Sequence, residues 1–145
     1  MGVTIRCKIT GSSINMSYIG FQLLRRKVAE MHSREFEKHY SLACSPQVMI
    51  LKAKLSEDYF REHSRITAEM MENKQIHPKI VDFCYQSDCD GSVRYGACKV
   101  IYDIIKDYDD DVLYGYSGRP DCAKFADFKA IVKECCDTKS DLVWS

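Results

Sequence analysis

An acidic turn at residues 87–92, Ser-Asp-Cys-Asp-Gly-Ser, holds the first side chains whose types and spacing could serve chemistry. Two carboxylates one residue apart, Asp88 and Asp90, followed by a glycine are typical of a calcium-binding loop. Aligning that glycine with the glycine of an EF-hand loop places Gln86 at the first ligand position and Ala97 at the last, where a bidentate glutamate is required. Because both essential carboxylates are missing, we interpret the turn as a connection whose aspartates cap and solvate the backbone.

A second group of carboxylates follows at Asp109, Asp110 and Asp111, with Asp121 further along the chain. Carboxylate oxygens could hold Mg²⁺ in a hydrolytic site. Three consecutive residues of regular structure point in different directions, so they cannot all face one ion. The sequence therefore favours a solvated acidic surface over a metal centre. We expect neither a bound metal nor another cofactor.

The loop at 114–121, Tyr-Gly-Tyr-Ser-Gly-Arg-Pro-Asp, could bind an anion. Its glycines allow the backbone to approach a phosphate, and Arg119 could hold the phosphate together with the free amides of the helix that follows. The preceding aspartates would repel a phosphate chain, and the same residues also suit an ordinary flexible turn. We therefore keep a phosphorylated ligand as an alternative only.

The eight cysteines and four histidines carry no catalytic or metal-binding signature. No C-x-x-C pair is present, which argues against a redox motif and against a zinc knuckle. We expect the cysteines to be free thiols that are mostly buried. His63 falls on an apolar helical face with no second ligand at helical spacing, so we interpret it as a core histidine with one hydrogen-bond partner. An enzymatic function has no specific support.

Composition and charge are those of an ordinary globular protein. The chain is 46% hydrophobic and 29% charged over 145 residues, which is typical of one folded domain spanning residues 1–145. Lysine plus arginine equals aspartate plus glutamate at 21 each, whereas nucleic-acid binding usually needs a basic excess. No segment has the ~18 consecutive apolar residues of a membrane span, and the first ten residues lack the apolar core of a signal peptide. We expect a soluble, cytoplasmic protein that binds neither nucleic acid nor membrane.

Four short β-type runs lie among longer amphipathic stretches. The predicted strands are residues 3–9, 80–85, 112–116 and 141–144. The predicted helices cover 17–43, 46–74, 93–108 and the residues after Asp121. The sequence does not decide whether the first two helical stretches are each continuous. The pattern predicts a helix-dominated α+β fold, in which a small sheet of about four short strands packs against four or five helices.

Two of these helices carry clear side-chain patterns. In the helix over 93–108, apolar residues recur every three or four positions and share one face. The aspartates at 109–111 oppose the partial negative charge of a helix C-terminus, so we expect this helix to end near Tyr108. The helix that begins near Ser17 has a predicted apolar stripe of Met16, Ile19, Leu23, Leu24, Val28 and Met31. Its basic run, Arg25, Arg26 and Lys27, is interpreted as a solvated face.

Charge and aromatic rings combine in the acidic turn and in the segment 109–121, on either side of the helix over 93–108. Tyrosine and arginine are favoured at protein contacts, and acids steer a basic partner. We therefore predict a small protein-interaction module that binds another protein, with its oligomeric state left open. The predicted binding residues are Asp88, Asp90, Asp109, Asp110, Asp111, Tyr114, Tyr116 and Arg119.

The two segments form one surface only if the chain runs back along the helix and brings Arg119 towards the acidic turn. A roughly 16-residue helix is about 24 Å long, so its two ends cannot meet by sequence proximity alone. The alternative function is a small enzyme, or a binder of a phosphorylated ligand, that uses Asp88, Asp90 and Arg119.

Overall fold

The structure, a computed structural model, describes residues 2–115, 119 and 122–145. Within these ranges four short strands and seven α-helices follow one another along the chain. The strands are β1 (Gly2–Cys7), β2 (Ser13–Ser17), β3 (Gly91–Val93) and β4 (Leu142–Trp144). The helices are α1 (Tyr18–His32), α2 (Arg34–Ser41), α3 (Pro46–Leu51), α4 (Glu57–Glu72), α5 (Pro78–Tyr85), α6 (Tyr95–Ile105) and α7 (Phe125–Thr138). A 3₁₀ turn at Lys52–Lys54 follows α3.

The four strands form one antiparallel sheet in the order β2-β1-β4-β3. β1 pairs with β2 on one side, where Val3 lies opposite Met16, and with β4 on the other, where Ile5 lies opposite Trp144. The predicted strands at 3–9 and 141–144 are therefore neighbours in the middle of the sheet. The prediction of a helix-dominated α+β fold with about four short strands is confirmed.

One face of the sheet packs against helices, and the other is open to solvent. Alternate residues of β1 are buried, as expected for a strand with one covered face. Trp144 of β4 points into the core, where its ring makes edge-to-face contacts with Phe21 of α1 (5.5 Å between centroids) and Phe83 of α5 (5.8 Å). This aromatic group joins the sheet to α1 and α5.

The prediction of a strand at 80–85 is wrong, because these residues belong to helix α5. His77 caps its first turn by accepting a hydrogen bond from a backbone amide, and Pro78 occupies a first-turn position where its missing amide costs nothing. The buried residues of α5, three and four positions apart, are Ile80, Phe83 and Cys84. A short apolar run fits a buried strand and a buried helix equally well, so the packing decides between them.

The strand β3 occupies the end of the acidic turn, so the helix predicted over 93–108 is shorter than expected. It begins at Tyr95 and ends at Ile105. Gly91 is required in β3, because a Cβ at this position would overlap the indole ring of Trp144. The predicted apolar face is present, since the buried residues of α6 are Ala97, Cys98, Ile101 and Ile105.

Serine residues interrupt the two long helical stretches whose continuity the sequence left open. The hydroxyl of Ser33 accepts a hydrogen bond from the amide of Phe36 (3.2 Å), which separates α2 from α1. Ser56 caps α4 in the same way, through the amide of Tyr59 (3.2 Å). None of the helices in the described part of the chain is both long and apolar enough to cross a membrane.

The orientation of α1 differs from the predicted one. Arg25, interpreted as part of a solvated face, is only 3% exposed, whereas Ile19 and Leu23 of the predicted apolar stripe are 57% and 41% exposed. The helix is turned so that the Arg25 side chain reaches backbone carbonyls of the neighbouring helix. Sequence periodicity does not reveal such partners, because they come from a distant part of the chain.

The predicted strand at 112–116 is limited, among the residues that the structure describes, to an isolated bridge between Leu113 and Lys124. The amide of Tyr114 donates to the carbonyl of Ala123 (2.9 Å), whose own amide donates to the carbonyl of Asn15 in β2 (3.0 Å). The segment is therefore tied to the β2 edge of the sheet without joining it as a strand. Tyr116 lies outside the described residues.

All eight cysteines are described, and each is a free thiol. The four buried cysteines are Cys7, Cys84, Cys98 and Cys135. Cys89, in the acidic turn, is exposed, and the remaining three are partly buried. Most of the thiols therefore pack as small apolar side chains.

Candidate functional site

Asp88, the first of the predicted site residues, lies beside α1 and forms an ion pair with Arg25. The guanidinium of Arg25 also donates to the carbonyls of Phe83 (3.4 Å) and Gln86 (2.7 Å), and it lies 4.5 Å from the centroid of the Phe21 ring. A cation buried to this degree needs a counter-ion, and Asp88 supplies it. The ion pair holds the acidic turn against α1.

Asp90 has different surroundings, although it is only two residues away. It is exposed and lies at a cavity of about 560 Å³ on the open side of the sheet, which Arg6 and Lys8 also line. Within the described part of the chain it forms no ion pair. The two carboxylates of the acidic turn therefore do not act as a pair.

Asp110 is the centre of a hydrogen-bond group that fixes the segment after α6. One of its carboxylate oxygens accepts hydrogen bonds from the hydroxyls of Tyr108 and Tyr114, both at 3.0 Å, and the other accepts from the amide of Val112 (3.1 Å). Tyr114 is only 8% exposed, and burial, reinforced by the Asp110 carboxylate, raises the pKa of its phenol. Asp110 and Tyr114 therefore hold the backbone in place.

The two neighbouring aspartates point elsewhere, as expected for consecutive residues. Asp109 pairs with Lys129 of α7 (2.6 Å), and Asp111 pairs with Lys124 (3.3 Å). Their side chains remain 67% and 98% exposed. The three carboxylates do not converge on one centre, so this acidic run lies at the surface with each charge directed to a different partner.

The segment 108–114 runs along α1 and is anchored at both ends. At one end the carbonyl of Tyr114 accepts a hydrogen bond from the amide of Ser17 (3.2 Å) and lies so close to Gly20 that a Cβ there would overlap it. At the other end the ammonium of Lys27 lies 4.8 Å from the centroid of the Tyr108 ring. The segment therefore has a fixed position beside α1.

Four exposed apolar side chains lie on these two elements, and we call them the Leu23 patch. Its members are Ile19 and Leu23 of α1, and Val112 and Leu113 of the segment. They are 57%, 41%, 58% and 42% exposed, in that order. Gly20 and Lys27 are the two α1 residues that contact the segment. Successive residues of an α-helix are rotated by about 100° around its axis, so Leu23 points in a direction about 60° from Gly20 and about 40° from Lys27. The patch is therefore shared by the helix and the segment beside it.

The acidic turn and the segment 108–114 approach α1 from different sides. The turn contacts Arg25 and the segment contacts Lys27, and residues two apart on a helix project about 200° apart. Arg119 is exposed and makes contacts of its own. The described site residues of the acidic turn and those of the segment 108–114 thus lie on two different sides of α1.

A second group of side chains, not grouped by the sequence analysis, lies where α2, α4 and α5 meet. The rings of His39 and His63 stack with 3.8 Å between centroids and 5° between planes. Thr67 donates its hydroxyl proton to the carbonyl of His63 (2.9 Å). The Thr67 oxygen can then only accept, so the hydrogen bond to His39 (2.7 Å) is donated by the Nε2–H of that ring. His63 Nε2 lies 2.9 Å from the hydroxyl of Tyr85.

Both rings of this histidine pair are uncharged at neutral pH. Burial lowers the pKa of both rings, and that of His63 falls to about 4 because the neighbouring His39 adds to the effect of burial. The interpretation of His63 as a buried histidine with one hydrogen-bond partner agrees with this geometry. Its stacking on His39 could not be predicted from the sequence, because the two rings belong to different helices.

Comparisons with protein families, curated proteins and solved structures found no match. In the described part of the chain, no cluster of three or more histidine, cysteine or acidic side chains is arranged to hold a metal ion.

Proposed function

We propose that this chain is a protein-interaction module that binds a segment of another protein at the Leu23 patch. The observation that carries the proposal is the exposure of four large apolar side chains on two adjoining elements. Single exposed apolar residues are normal, whereas a group shared by two fixed elements is typical of a binding surface. Of the predicted binding surface, this site retains residues 109–114 of the segment 109–121 and leaves out the acidic turn. It adds the outer face of α1.

The surface is preorganised, which lowers the entropy cost of binding. Asp110 restrains the segment through two tyrosine hydroxyls, and Lys129 donates to the carbonyl of Tyr108 (2.9 Å) from α7. Val112 and Leu113 are thus presented on a backbone that is already held in place. A partner needs to order only its own residues.

The charges beside the patch indicate the chemistry of the partner. Asp109 and Asp111 precede Val112 and Leu113 in sequence and are largely exposed. The pair between Asp111 and Lys124 lies at the surface, where such pairs contribute little and can be exchanged. A partner segment with two or three large apolar side chains flanked by lysine or arginine would complement this surface.

The enzyme alternative has less support. Asp88 is the counter-ion of a buried arginine, and Asp90 lies apart from it on the open side of the sheet. An acid–base pair needs two titratable groups within reach of one substrate. Neither carboxylate has such a neighbour among the described side chains of the acidic turn.

Photo-crosslinking from the patch tests the proposal. A benzophenone amino acid placed at Val112 should capture a discrete partner in cells, whereas the same group at Ile9, 65% exposed in the turn after β1, should not. Excess unlabelled parent chain should compete for the captured partner. The Leu23→Asp variant should compete at least tenfold less well, because burying a carboxylate in an apolar contact costs more than about 1.4 kcal/mol.

Three results would contradict the proposal. The Val112 and Ile9 probes could capture the same proteins, or Leu23→Asp could compete as well as the parent. A captured partner that proved to be a second copy of the chain would assign the patch to self-association. Circular dichroism of Leu23→Asp should match that of the parent, because Leu23 is exposed.

A further inference from the structure

A cavity of about 480 Å³ lies between the end of α2, the 3₁₀ turn, α4 and α5. Its walls include the rings of Phe60 and Tyr85 and the side chain of Val81. Cavities of this size with apolar walls and few polar groups are typical of small-molecule sites. The cavity is separate from the Leu23 patch and shares no residue with it.

Three polar side chains of the wall, Thr67, His63 and Tyr85, already have partners of their own. Thr67 donates to the His63 carbonyl and accepts from His39, and His63 is bonded to the hydroxyl of Tyr85. Both histidines are neutral at pH 7, since burial lowers the pKa of each. This wall therefore presents an uncharged surface on which the apolar body of a ligand can lie without leaving a polar group unpaired.

The charge at the cavity comes from Lys52, the only ionised side chain at neutral pH among the described residues that line it. Lys52 is exposed and forms no ion pair with any described residue. Lys52 and Cys44 both line the cavity. Burial raises the pKa of the Cys44 thiol, and the positive charges of Arg25 and Lys52 oppose that rise. An unpaired cation beside an apolar, uncharged wall is complementary to a molecule with one anionic group and an apolar body.

We propose that this cavity binds a small apolar monoanion, a carboxylate with an aryl or short alkyl body. The carboxylate pairs with Lys52 at the mouth, and the body packs against Phe60, Val81 and the ring of Tyr85. The inference goes beyond the proposed protein contact and does not depend on it, because different residues carry it.

The test compares two probes that differ only in charge, 4-phenylbutyrate and 4-phenylbutanamide, titrated into the ¹⁵N-labelled chain. Phenylbutyrate should shift the amide resonances of residues that line the cavity, such as Cys44, His63 and Thr67. It should bind about fivefold more tightly than the amide, the factor expected for one partly exposed ion pair.

Three variants make the test specific. Lys52→Gln should remove the preference for the carboxylate, whereas Lys54→Gln, at an exposed lysine of the same 3₁₀ turn, should keep it. Ser64→Trp places a bulky ring at the exposed rim of the cavity and should abolish binding of both probes. The proposal is overturned if neither probe shifts the cavity resonances or if the amide binds as tightly as the carboxylate. Equal effects of Lys52→Gln and Lys54→Gln would also overturn it.

Discussion

The imidazole rings of His39 and His63 lie face to face, with 3.8 Å between their centroids, although the two residues belong to different helices. His63 is only 8% exposed. Two positive charges at this separation in a poorly solvated place would repel strongly. The contact therefore requires that at most one ring be protonated, and it makes the stability of the helical layer dependent on pH.

The first prediction follows from the lowered pKa of His63. The unfolded chain binds a proton at this histidine near pH 6.5, and the folded chain does so only near pH 4. The unfolded state therefore holds more protons between these values, so the free energy of unfolding should fall as the pH is lowered from about 6.5 to about 4. The loss should reach about 3 kcal/mol from this one group. Urea unfolding at half-unit steps of pH measures it.

Carboxylates also titrate in this range, so the control is a variant that lacks only the titrating ring. His63→Phe keeps an aromatic ring for the stack with His39. Its free energy of unfolding should fall less steeply than that of the parent between pH 6.5 and 5. Parallel stability curves for the parent and His63→Phe would show that the stacked pair does not govern the acid response.

The second prediction concerns the buried cation of α1. Asp88→Ala leaves Arg25 without its counter-ion and should lower the free energy of unfolding by about 2–3 kcal/mol. Asp90→Ala, two residues along in the same turn and exposed, should change it by less than about 0.5 kcal/mol. Replacing both partners, as Arg25→Met with Asp88→Ala, should recover most of the loss because no unpaired charge remains. Equal effects of the two aspartate changes would contradict the assignment.

The third prediction concerns the segment that carries half of the Leu23 patch. Asp110→Ala removes the acceptor for the hydroxyls of Tyr108 and Tyr114 and should cost about 2 kcal/mol, since hydrogen bonds to a charged group are the stronger kind. Asp111→Ala removes only a surface ion pair and should cost under about 0.5 kcal/mol. Hydrogen exchange should speed up at Val112 and Tyr114 in the first variant and not in the second. Unchanged exchange in both would show that Asp110 does not order the segment.

The fourth prediction concerns the β3 edge of the sheet. The side-chain amide of Gln86 accepts from the amide of Ser92 (3.0 Å) and donates to its carbonyl (2.8 Å), so it occupies the place of a further strand. Gln86→Ala should cost about 1–2 kcal/mol and expose an edge that can pair with another chain. Sedimentation velocity should show concentration-dependent association of this variant. Gln75→Ala, at an exposed glutamine after α4, is the matched control and should remain like the parent.

Local patterns in the sequence were sufficient for much of the fold. Alternation predicted the strand over 3–9, and the sequence also indicated a short strand over 141–144. The apolar stripe of 93–108 predicted the buried face of α6. These patterns failed at 80–85, because a short run in which five of six residues are apolar can be buried as a strand or as two turns of helix. The packing of Phe83 between Phe21 and Trp144 decides in favour of the helix.

The candidate surfaces depended on the tertiary structure to a greater degree. The sequence by itself predicted that Asp109, Asp110 and Asp111 do not converge, because consecutive side chains diverge on a regular backbone. The segment is irregular, and the separate partners of the three carboxylates keep them apart. The sequence did not determine that Arg25 is buried or that Leu23 is exposed, since hydropathy assigns these residues the opposite positions. Only the fold places the Asp88 carboxylate beside Arg25 and the Tyr114 carbonyl beside α1. Contacts between residues distant in the chain decide the burial of an individual side chain. The periodicity of one segment does not depend on these contacts and therefore cannot predict them.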